Sequence, residues 1–212
     1  MTPIARTERL ALADLLTELG PDAPTLCEGW RTRALAAHLV IRERRPDAAP
    51  GMAVSAFAGW TASVQEGYQR RPYDELVHLV RTGPGRLSPY ALPGAEKLLN
   101  TTEYAVHHED VRRAQPGWEP RHLAPVVQDA LWRAVEARSK LSFRRVAAGV
   151  VLQRADASGV AVVASEGEPA ATVTGEPMEL LLFLLGRREH ARVEISGDPA
   201  ARRAMDAAAL DA

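Results

Sequence analysis

Residues 103 to 110 read EYAVHHED, and Glu103, His107 and Asp110 are of the kinds that bind metals or carry protons. An α-helix advances about 100° per residue, so with Glu103 at 0°, His107 lies at roughly 40° and Asp110 at roughly −20°. These three share one face, and His108, at roughly 140°, leaves it. Leu99 and Val106 flank them at roughly −40° and −60°, so the polar stripe points partly into a core. Polar groups facing a core need partners, and a divalent cation satisfies a carboxylate and an imidazole together. A hydrogen-bonded Glu/His pair accounts for the same spacing, so the stripe alone leaves both readings open. His108-Glu109 begins like HExxH, but Arg112 stands where the second His is required, and the metalloprotease motif is absent.

Further ligands must come from elsewhere in the chain. Of the six histidines, His78, His122 and His190 sit in surface-like contexts and read as exposed or hydrogen-bonded structural residues. His38 lies in the middle of a Leu- and Ala-rich helix, where a buried imidazole needs a partner. Helices of an antiparallel bundle bring such residues face to face, so His38, Glu103 and His107 offer two nitrogens and a carboxylate oxygen, a set that suits zinc or another borderline divalent ion. Three protein ligands leave a fourth position for water or substrate. Asp110 is then placed to orient a ligand imidazole or receive a proton. Cys27 precedes a helix whose N-terminus can lower its pKa, which allows a nucleophilic or metal-binding role; with Trp30 close by, packing is the favoured one. Glu43, beside Arg42, Arg44 and Arg45, reads as a solvated charge rather than a proton carrier.

The elements that hold these residues are mostly helical. Apolar spacing predicts helices over 4–19, 32–45, 54–68, 73–81, 95–114 and 125–141, with Thr32 as an N-cap and stops at Gly20-Pro21, Pro46, Gly83-Pro84-Gly85 and Pro116-Gly117. After Arg145 the period changes. Short β-branched runs at 146–153, 160–164 and 171–174, a leucine-rich helix at 177–187, a strand at 192–195 and a last helix from Pro199 predict a small α+β segment. The expected domains are therefore a helical bundle over 1–143 and an α+β domain over 144–212.

Composition sets the outer bounds. The chain has 212 residues, 46% hydrophobic, enough for one large domain or two small ones. A formal net charge of −1 provides no field to gather nucleic acid, and no basic recognition helix stands out. The single cysteine allows no intramolecular disulfide. The N-terminus does not read as a signal peptide, and the longest apolar run, 180–185, is far below the roughly 20 residues of a membrane span. A cytoplasmic protein is the expectation.

The segment PTLCEGWRTRALAAHLV (24–40), with its Trp before a helix carrying His38, resembles the first motif of the mycothiol-dependent maleylpyruvate isomerase family, and EYAVHHED resembles the second. RERRPDA (42–48) and VHHEDVRRA (106–114) are similar to an actinobacterial branch described only as metal-binding. GEPMELLLFLLGRR (175–188) and SGDP (196–199) resemble the C-terminal domain of the isomerase. The resemblance implies an N-terminal all-α DinB-like four-helix bundle followed by a small α+β sterol-carrier-like domain. It implies a divalent metal, zinc first, on His38, Glu103 and His107, with Asp110 matching the motif's Asp. It also implies mycothiol as a co-substrate, so the partners are a small-molecule thiol and a small electrophile, and the reaction an isomerisation or S-transfer. A non-catalytic protein with a structural metal, its C-terminal leucines sequestering an apolar molecule, is the rival reading. Arg187 and Arg188 are candidates for an acidic substrate, although a pair after a helix C-terminus also serves the helix dipole.

Overall fold

The computed structural model describes residues 4–48, 51, 54–85, 88, 100–156 and 159–207. It divides into two compact units, Met1–Glu119 and Pro120–Ala212. Among the described residues, no helix is long and apolar enough to cross a membrane.

The first unit is helical: α1 (Ile4–Leu19), α2 (Thr32–Arg44), α3 (Ala58–Gln69), α4 (Tyr73–Thr82) and α5 (Thr101–Arg112). Leu12 and Leu16 of α1, Leu35 and Leu39 of α2, Leu76 and Val80 of α4, and Tyr104 and Val111 of α5 form one buried core. Apolar residues three or four apart on each helix are what turn one face of it inward. Gly20, at φ 77°, ends α1 by returning its N–H to the Leu16 carbonyl at 3.1 Å. Contrary to the expectation from the sequence, Thr32 does not cap α2. Arg31 holds the cap position, Thr32 is the first helical residue, and its hydroxyl donates to the Gly20 carbonyl at 2.5 Å. The first N–H groups of α2 are instead taken by loop carbonyls, Thr32 to Ala23 and Arg33 to Pro21, both at 3.0 Å. The predicted start of the fifth helix, the flanking Leu99 and most of the 83–94 loop lie outside the described residues.

The second unit holds α6 (Pro125–Ser142), β1 (Gly149–Arg154), β2 (Ala161–Ser165), β3 (Ala170–Gly175), α7 (Pro177–Leu184), β4 (Glu194–Gly197) and α8 (Pro199–Ala207). The sheet order is β2-β1-β3-β4, with β1 and β3 parallel and the outer pairs antiparallel. The sequence boundary at 143/144 assigned α6 to the bundle. The helix falls in the second unit, where it packs on α7 and β2 and buries Leu131, Ala134 and Val135. Its periodicity announced a buried face but not what that face meets. Helix α7 is apolar almost all round and buried from Pro177 to Leu184, so these leucines are core of this unit rather than a surface for an apolar ligand. It ends in a Schellman turn: Gly186, at φ 82°, bonds Phe183 at 3.2 Å and Arg187 bonds Leu182 at 2.9 Å.

Candidate metal centre

The site lies between α2, α5 and the loop 24–31. That loop is closed by a bridge between Pro24 and Arg31 and hung on α5 by the Leu26 N–H, which donates to the Asp110 carbonyl at 2.9 Å. His38 projects from α2 one turn after buried Leu35, and the Trp30 ring packs on it with centroids 5.0 Å apart. On α5, Glu103, His107 and Asp110 do share a face.

Three nitrogens converge on one oxygen. His38 Nε2 lies 3.2 Å, His107 Nε2 3.4 Å and Arg42 Nε 3.3 Å from Glu103 Oε1. The two imidazoles meet edge to face, centroids 5.4 Å apart. On its other side, His107 Nδ1 lies 2.9 Å from Asp110 Oδ2, and the same oxygen accepts the Cys27 thiol at 3.3 Å. Arg42 also donates to Asn100 Oδ1 at 2.9 Å. The donor atoms of His38, Glu103 and His107 lie within 4.8 Å of one another, close enough to hold one cation. The side chains of His38, Glu103 and His107 are 16%, 23% and 13% exposed, so the trio is screened from solvent without being sealed.

Electrostatics divide the two histidines. Burial lowers the pKa of His38 and outweighs the hydrogen bond to Glu103, which keeps this imidazole neutral, with its one proton on the Nε2 that faces Glu103. Burial also opposes charge on His107, but the bonds to Asp110, Cys27 and Glu103 win and hold it well above the usual histidine range. Glu103 is held well below the carboxylate range: burial alone would raise it, and the bonds from His107 and His38 with the Arg42 charge overcome that.

One further expectation needs correction and another is extended. Glu43 is not a solvated charge; it is 2% exposed, and burial raises its carboxyl against the pull of Tyr104, Arg9, Arg42 and Arg44. A run of charges on a helix that packs on both sides cannot all face water. Cys27 packs with Trp30 against the core of the first unit, and its thiol in addition meets Asp110 and His107, 83 and 80 residues away in sequence. His108 meets buried Glu8 at 3.0 Å and stands off the site, and His78 and His122 are exposed. Arg187 donates to the Leu185 carbonyl at 2.5 Å, and Arg188 to the Met205 carbonyl at 3.0 Å. Both therefore serve helix C-termini, the role that charge complementarity to the dipole predicts.

Comparison with known proteins places the second unit first. Residues 121–204 match the family described as MDMPI C-terminal domain. The span takes in α6, in agreement with the division at 119/120. No curated protein sequence matches the chain. Among solved structures, the crystal structure of the mycothiol-dependent maleylpyruvate isomerase aligns with TM-score 0.61 and 16% identity, covering 92% of this chain and 91% of that one. A point mutant of the same isomerase aligns with TM-score 0.60, again at 16% identity. At that identity the alignment establishes a shared fold. Together with the MDMPI C-terminal domain, it supports the family resemblance of the motifs at 24–40 and 103–110.

Proposed function

We propose that the chain is a divalent-metal-dependent enzyme that uses a low-molecular-weight thiol, mycothiol by analogy with the isomerase of the same fold, on a small electrophile. The helical unit is read as a DinB-like bundle and the second as its sterol-carrier-like companion. The observation that carries this is the convergence of His38 and His107 on a single oxygen of Glu103. Two imidazole nitrogens and a carboxylate oxygen fit zinc or another borderline divalent ion and leave a position open. An ion held there lowers the pKa of a thiol at that position toward neutrality.

The chain's own residues do the rest. Ionised Glu103 presents its lone pairs without a proton loss, and neutral His38 frees Nε2 by moving the proton it donates to Glu103 over to Nδ1, with no net loss. Asp110, by accepting the Nδ1–H of His107, fixes the tautomer that directs Nε2 at the site and raises the basicity of the ring. Arg42 balances the Glu103 carboxylate from the side and favours an anionic ligand such as a thiolate. Expulsion of the thiol after addition gives isomerisation, and its retention gives S-transfer.

Metal analysis of purified protein tests the reading: one equivalent is expected, lost in His38→Ala and in His107→Ala. Absence of stoichiometric metal, or its retention in both variants, sinks it. Turnover of a panel of electrophiles with mycothiol, abolished by chelator, supports the enzyme. Chelator-induced unfolding without any turnover supports a structural metal instead.

A further inference from the structure

His107 engages partners through both ring nitrogens, and Nδ1 faces a set of donors different from the one that Nε2 meets. Nδ1 lies 2.9 Å from Asp110 Oδ2 and 3.8 Å from Cys27 Sγ, while Sγ and Oδ2 are 3.3 Å apart. These three atoms form another group within 4.8 Å of one another, distinct in chemistry from the first because it contains sulfur. Zinc bonds of about 2.0–2.3 Å at tetrahedral angles separate neighbouring ligand atoms by roughly 3.3–3.6 Å. The observed triangle is within a few tenths of an ångström of that, with the Asp110–His107 edge needing to open.

The sulfur is also held in place. The Cys27 N–H donates to Thr25 Oγ1 at 3.2 Å, the Thr25 hydroxyl donates to the Trp30 carbonyl at 2.9 Å, and Leu26 is bonded to the backbone of Asp110 itself. Asp110 is fully buried and Cys27 half-buried, so the group is anchored on the inside and reached from the outside.

We propose that Cys27, Asp110 and His107 form a second, softer metal site that takes a thiophilic cation through Sγ, Oδ2 and Nδ1. A thiolate, an imidazole and a carboxylate favour cadmium or another strongly thiophilic ion over hard, oxygen-seeking ions. Binding releases the thiol proton and the Nδ1 proton to water. It also withdraws Asp110 from its hydrogen bond to His107, so a soft ion here disturbs the ligand that the first group shares. Surplus thiophilic metal thereby acts as an inhibitor built on the chain's single cysteine.

Cadmium titration of the metal-stripped full chain tests this, followed by thiolate-to-cadmium charge-transfer absorption and by native mass spectrometry. With one cysteine in the sequence, any such band reports Cys27. The band is expected in the wild type, and also in His38→Ala and in the double variant His38→Ala/Glu103→Gln, which keep all three proposed donors. It is lost in Cys27→Ser, and Asp110→Asn weakens the affinity it reads by about tenfold or more. Circular dichroism establishes that each variant is folded, and His38→Ala alone suffices should the double variant not be. No band in the wild type, an affinity unchanged by Asp110→Asn, or a band confined to a two-chain species bridged by cadmium overturns the proposal. The two sites fail separately: zinc content indifferent to His38 removes the first and leaves the band untouched.

Discussion

His107 and His108 are neighbours on α5, and the helix sends them into different surroundings. His108 turns to α1 and meets Glu8, both of them buried, and among the described residues no third metal-type donor joins them. His107 turns to α2 and the 24–31 loop, where its two nitrogens meet Glu103 on one side and Asp110 with Cys27 on the other. One imidazole meets a single carboxylate and the other is shared between two sets of donors. The difference lies in what the facing elements bring: α1 offers a single carboxylate, whereas α2 and the loop offer His38, Arg42 and Cys27. Residue type does not separate structural from chemical histidines here; the number of convergent donors does.

Removing each histidine in turn breaks the comparison most directly. His107→Ala is expected to lose stoichiometric metal altogether in elemental analysis, while His108→Ala keeps one equivalent; equal metal content in the two would erase the distinction. His108→Ala instead costs about 1–3 kcal/mol of stability in denaturant unfolding, because it withdraws a partner from a buried carboxylate. Asp110→Asn, which leaves every ligand of the first group in place, lowers zinc affinity by about 10–100-fold in competition with a chromophoric chelator.

The pH dependence is gentler and has opposite signs with and without metal. In the metal-free protein the raised pKa of His107 gives a stabilisation that is complete below about pH 6.5 and is lost as pH rises through the raised value. The depressed pKa of Glu103 gives one present above about pH 4.5 and lost as pH falls through its folded value. Metal needs Nε2 unprotonated, so zinc affinity rises by up to about tenfold per pH unit until His107 has titrated. Thermal melts of stripped protein and zinc titrations across the same buffers check both slopes, and a pH-independent affinity would contradict the assignment of His107.

Much of this was legible in the sequence because it is local. Four- and three-residue spacings placed Glu103, His107 and Asp110 on one face and turned His108 away, and the Leu35 to Leu39 pattern placed His38 within a packed helix. What escaped depends on contacts between distant segments. The burial of Glu43 follows from the helices that cover α2, which a run of four charges conceals. The polar partners of Cys27 depend on where the loop is hung. The membership of α6 in the second unit depends on which apolar faces meet, and its periodicity is the same in either unit.

The loop that carries Cys27 is fastened to α5 through main-chain atoms, Leu26 to Asp110, and closed on itself by Pro24 and Arg31. Side-chain replacement deletes neither fastening. The walls of the site thus outlast the loss of any one proposed ligand, and truncating His38 leaves a socket shaped for an imidazole. Free imidazole added to His38→Ala has a place to dock, which makes this centre open to chemical rescue and to the exchange of one ligand for another, not only to destruction.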